Sequence, residues 1–168
     1  MKGNPNKGKE INQINVLSVG LGHEDSSGLA AIFTRSEWPS CPDSEWKLQT
    51  STSLPSAVSV LGHDGLHIVV CEKNVGKDSW RDLLDQMSQL PDPPSLIVTS
   101  RLADEYLWAE ALNLGAYDVL AAPFEPAEVV RVLSSAWLHR VHRKELTATK
   151  AMRRALSSNG SSYVVAAG

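Results

Sequence analysis

The sequence predicts an α/β domain in which a five-stranded, doubly wound parallel sheet is covered by helices on both faces. Three observations predict it. Short apolar runs of strand length alternate five times with stretches whose apolar residues recur at helical spacing. Two of the runs, Ile68-Val69-Val70-Cys71 and Leu96-Ile97-Val98, are apolar at consecutive positions, as strands buried on both faces are. Glycine, proline or small polar residues separate the segments, and these are the residues at which chains turn.

The elements follow in order. Residues 1–13, rich in Gly, Asn and Lys, read as a disordered leader, and Ile14–Val19 as the first strand. Gly20 to Ser27 is a turn with several residues able to cap a helix that carries Leu29, Ile32 and Phe33 on one face. That turn has neither the Walker spacing nor GxGxxG, so phosphate binding through it is not supported. A long loop follows, then the alternating segment Trp46–Thr52, a second strand near a sheet edge. Leu54, Ala57, Val58 and Leu61 make a second helix, with Pro55 tolerated in its first turn.

The strand His67–Cys71 ends abruptly at Glu72. Open α/β sheets place ligands at the carboxyl ends of their strands, which makes Glu72 the first candidate site residue. Asp78 or Ser79 caps a helix running to about Leu90, where Pro91, Pro93 and Pro94 stop it. Ser95–Ser100 is a fourth strand ending in two hydroxyls, and Ala103–Leu114 a helix stopped by Gly115. Ala116–Ala121 is the fifth strand. Pro126 then opens a long helix with Val129, Val132, Leu133, Ala136 and Trp137 as its buried stripe.

The composition, 42% hydrophobic and 21% charged, is that of a globular chain long enough for one domain with tails. The net charge of -3 exerts no overall pull toward nucleic acid or anionic membrane. No apolar run reaches membrane-span length and no signal-type segment follows the N-terminal lysines, so a cytoplasmic protein is expected. Cys41 and Cys71 stand alone, without CxxC or a ligand cluster, which predicts no disulfide and no metal.

The order of parts from Ile14 to about Leu138 resembles a response-regulator receiver domain, a flavodoxin-like fold. Gly115-Ala116-Tyr117-Asp118-Val119-Leu120-Ala121-Ala122-Pro123-Phe124 is similar to the receiver signature Gly-Ala-x-Asp-Tyr-Leu-x-Lys-Pro-Phe. The resemblance implies a two-component signalling module, not an enzyme. A working receiver has two acids after the first strand that help hold Mg²⁺. It has an aspartate after the third strand that takes the phosphoryl group, a Thr or Ser ending the fourth and a lysine ending the fifth. Metal and lysine offset charge on the transferred oxygens.

Against that pattern this chain resembles an atypical pseudo-receiver. Gly20 and Leu21 stand where the acids belong, with Glu24 and Asp25 nearby as metal-loop remnants at the start of the helix. Glu72 has the acceptor position. Thr99 or Ser100, the latter favoured, takes the hydroxyl position; Val119 replaces the switch aromatic, and Ala122 before Pro123 replaces the lysine. No cofactor is implied. Glutamate is a methylene longer than aspartate, so Glu72 either imitates a phosphorylated side chain or is a tolerated polar residue in a dead pocket.

The last helix continues past the point where a receiver ends. Residues 139–157 form a basic extension with Arg140, Arg143, Lys144, Lys150, Arg153 and Arg154 against Glu145 alone, and residues 158–168 a flexible tail. Val141, Leu146, Met152 and Leu156 keep no clean heptad, and His139 and His142 lack further metal ligands. The leading expectation is a phosphorylation-independent interaction module. Its protein partner, a kinase or effector, docks on the fourth and fifth helices, where Trp108 and Trp137 lie; a homodimer is left open. The alternatives are a phosphorylatable receiver and a nucleic-acid-binding regulator using the basic cluster.

Overall fold

The computed structural model describes residues 12–63 and 65–159, so the expected tail from residue 160 and the leader as far as residue 11 lie outside the described residues. The first strand, β1 (Asn12–Val19), opens two residues earlier than expected. The chain then runs α1 (His23–Arg35), β2 (Ser44–Ser51), α2 (Leu54–Leu61), β3 (Leu66–Glu72), β4 (Asn74–Val75), β5 (Asp78–Ser79) and α3 (Trp80–Ser88). It continues through β6 (Ser95–Ser100), α4 (Glu105–Leu114), β7 (Asp118–Ala121) and α5 (Pro126–Asn159). Five strands form one parallel sheet in the order β2-β1-β3-β6-β7, with β2 on an edge as expected.

Consecutive apolar residues in the central strands feed two cores, because successive side chains point to opposite faces. On one face Leu17, Val69, Cys71, Val98 and Val119 pack with Ala57, Trp80, Leu83, Leu107 and Ala111 from α2, α3 and α4. On the other, Val16, Ile68, Val70, Ile97 and Leu120 meet Leu29, Ile32, Val129, Leu133 and Ala136 from α1 and α5. Trp38 stacks on Trp46 at 4.1 Å with Phe33 edge-on, which pins the long loop after α1.

The loop after β3 was expected as plain polar loop. It instead closes into a small hairpin in which Asn74 pairs with Ser79 and Val75 with Asp78, turning on Gly76 at φ 64°. Ser79, not Asp78, caps α3, and Asp82 returns the bond to the Ser79 amide at 2.7 Å. No described helix is long and apolar enough to cross a membrane.

Two units are distinguished along the chain, residues 1–137 and 138–168. In the second, α5 continues unbroken to Asn159, and every side chain from His142 to Ser158 is exposed.

Candidate functional site

The carboxyl ends of β1, β3 and β6 open into a cleft of about 500 Å³ lined by Gly22, His23, Glu24, Asp25, Glu72, Ser100, Arg101 and Leu102. Glu72 reaches it because the parallel register sets it beside Thr99, and β3 ends there. Its neighbour Cys71 points the other way into the core, where burial, with a smaller push from the Glu72 charge, raises the thiol to about 12. Burial also raises the Glu72 carboxyl. The Lys73 backbone amide opposes this, the Asp25 charge adds to it, and Arg101 opposes it.

Glu24 and Asp25 lie in the first turn of α1, where the helix end favours acids. Several turn residues were expected to cap this helix, but its N-cap is Gly22 and no side chain caps it. Asp25 is thereby free for another partner. Its side chain is 9% exposed and accepts from Arg101 Nη2 at 2.9 Å, while Glu24 stands 3.6 Å from the same nitrogen.

Arg101 is the cleft residue that sequence reasoning missed. It follows β6 directly, so a cation at a strand's carboxyl end was the available signal; its pairing with residues 76 and 77 positions earlier in the chain was not visible.

The remaining candidates separate sharply. Ser100 lines the cleft, and its hydroxyl accepts from the Leu102 amide at 3.1 Å. Thr99 is fully buried with its hydroxyl lacking a hydrogen-bond partner among the described residues, so of the pair it is Ser100 that the fold presents. Val119 lies in the core beside Leu107 and Ala111. Ala122 is buried at the end of β7, with its amide donating to Ser100 O at 3.1 Å, and the bond to Pro123 is cis.

Gly20 and Leu21 supply no side-chain oxygen where the resemblance puts acids. Gly20 has φ 73°, and a Cβ there would stand 2.7 Å from Val75 Cγ2, so no side chain enters. The hairpin has closed that position. Leu21 is buried with α1.

The basic set also divides. Arg143, Lys144, Lys150, Arg153 and Arg154 are exposed, but Arg140 is 2% exposed and does not belong with them as a surface cation, a correction to the sequence reading. Nearer the cleft, Leu102 in the loop before α4 and Tyr106 in its first turn are 69% and 87% exposed, and Trp108 and Leu112 are partly exposed. Trp137 is largely covered and meets the His67 ring edge-on at 4.9 Å.

No family model and no curated protein matches the chain. Solved structures do. The signal receiver domain of a putative Luxo repressor protein from Vibrio parahaemolyticus superposes with TM-score 0.63 at 18% identity, over 80% of this chain and 97% of that one. The receiver domain of an HD domain-containing protein from Pseudomonas fluorescens gives TM-score 0.65 at 18% identity, over 78% and 99%. A CheY-like receiver domain protein from Methanospirillum hungatei gives 0.62 at 12%, over 79% and 99%.

Proposed function

We propose that this chain, whose fold is that of response-regulator receiver domains, works in two-component signal transduction as a cytoplasmic interaction module that does not depend on phosphorylation. One observation carries the reading: at the end of β7, where phosphoryl transfer needs a cation, stands the buried methyl of Ala122. Glu72 in the acceptor place holds a carboxyl raised chiefly by burial, with no lysine at the end of β7 to offset negative charge on a transferred phosphoryl group.

The partner surface is α4 with the adjoining β7 and α5. Tyr106, Trp108 and Leu112 of α4, and Leu102 in the loop before it, expose apolar side chains, and aromatic side chains of this kind serve as anchors in protein contacts. The partner is a signalling kinase or effector protein.

Incubating the protein with Mg²⁺ and a small phosphodonor, then weighing it intact, tests the reading. An unchanged mass is expected. A gain of one phosphoryl group, lost in Glu72→Gln, would establish the rival phosphorylatable receiver. The exposure of Arg143, Lys144, Lys150, Arg153 and Arg154 favours a second activity, phosphate-backbone contact with nucleic acid, which needs little beyond clustered cations.

A further inference from the structure

A working receiver holds a divalent metal at this cleft, and the residues present here do not fit one. Of the oxygens such an ion would need, the two after β1 are replaced by Gly20, whose open side is filled by Val75, and by the apolar Leu21. Asp25, Glu24 and Glu72 remain, and the first two already face the same guanidinium nitrogen. Among the described residues no three metal-ligating side chains gather into a cluster.

We infer that the Arg101 guanidinium is the resident cation of this cleft, held by its own tether where working receivers recruit a metal, so that the cleft's charge balance is independent of magnesium. The inference rests on reading the fold as a receiver that has lost its reaction. Three features support it.

First, the backbone that carries Arg101 is fixed on both sides. Ser100 O accepts from the Ala122 amide and Ser100 Oγ from the Leu102 amide. Second, the nearly buried Asp25 carboxylate takes a direct hydrogen bond at 2.9 Å, the geometry of a charge-assisted pair. A guanidinium is weakly hydrated and supplies this at small desolvation cost, whereas Mg²⁺ gives up its water reluctantly. Third, a tethered group is present at an effective concentration on the order of millimolar or above, so it competes well with free magnesium. The pair also joins the first turn of α1 to the loop that leads into α4, so it holds in one position the segment bearing Leu102 and Tyr106.

Mn²⁺ is the probe, titrated at constant ionic strength into the full chain and followed by calorimetry and water-proton relaxation. The wild type is expected to show no saturable binding. Arg101→Gln, a change at a side chain more than half exposed, is expected to gain saturable Mn²⁺ binding, as one cation replaces another on the same carboxylates. Arg101→Gln combined with Asp25→Asn is expected to lose that gain. Arg101→Lys, which keeps the charge, is expected to exclude the ion as the wild type does.

Equal Mn²⁺ affinity in wild type and Arg101→Gln overturns the inference, whether both bind or neither does. Binding by Arg101→Lys as tight as by Arg101→Gln also overturns it, and that comparison needs only folded protein, checked by thermal melting. The two readings fail separately. Phosphoryl uptake by a chain that excludes Mn²⁺ sinks the functional reading alone, and saturable Mn²⁺ binding without phosphoryl uptake sinks this one alone.

Discussion

Glu72 carries a charge in a place that disfavours it. Burial is the main cause, and the folded state therefore holds its proton more tightly than the unfolded chain does. Linkage sets the sign: the contribution of this group to stability is full below the ordinary glutamate range and is lost as pH rises through the raised folded value. Glu72→Gln is neutral at every pH and escapes that loss. It should melt above the wild type at pH 7, and the difference should vanish by about pH 4. Melting curves across that range check it; a variant that melts lower at pH 7 would mean that Arg101 outweighs burial. Glu72 was legible as a site residue because a four-residue apolar run stops at it. Arg101 was not, since nothing local says that a loop cation folds back onto the first helix.

At the scale of elements, the ends decide what the cleft can hold. Asp104 caps α4 by accepting from the Leu107 amide at 2.9 Å, and Gly115 ends the same helix at φ 111°. Across its side, Arg81 of α3 pairs with Glu110. Because the cap sets where α4 begins, Asp104→Ala should cost about 1 kcal/mol. Urea unfolding would read this as a lower midpoint at unchanged slope, and an unchanged midpoint would remove the cap from the account. The Gly115 stop was plain in the sequence. The hairpin of β4 and β5 was not, because two-residue strands have no periodicity to detect, yet it is what puts Val75 against Gly20. An element too short to leave a pattern closes the position that the resemblance reserves for an acid.

For the molecule as a whole, the hydrophobic core is made of residues from Ile14 to Ala136. A chain ending at Arg143 retains all of it together with the buried Arg140, and every described side chain it sheds, from Lys144 to Ser158, is exposed. It should unfold in one cooperative transition within a few degrees of the full chain. If the basic extension contacts nucleic acid, the full chain binds with an affinity that falls steeply with salt, and the shortened chain, lacking Lys144, Lys150, Arg153 and Arg154, loses that binding. Binding insensitive to salt, or kept by the shortened chain, would count against the extension.

The alternation of the five sheet strands with helices, the acid at the end of β3 and the alanine at position 122 were all determined by the sequence itself. Each is a local fact: periodicity, a stop, or the identity of one residue at a strand's end. The tertiary structure alone decided that Arg101 answers Asp25 and Glu24, that Val75 shuts the space beside Gly20, that Ser100 rather than Thr99 meets the cleft, and that Arg140 is buried. Those outcomes depend on which distant segments the sheet brings within a few ångströms, and on which side of a strand or helix each residue falls. Burial and ion pairing are properties of that proximity, so they exist only once the chain has folded.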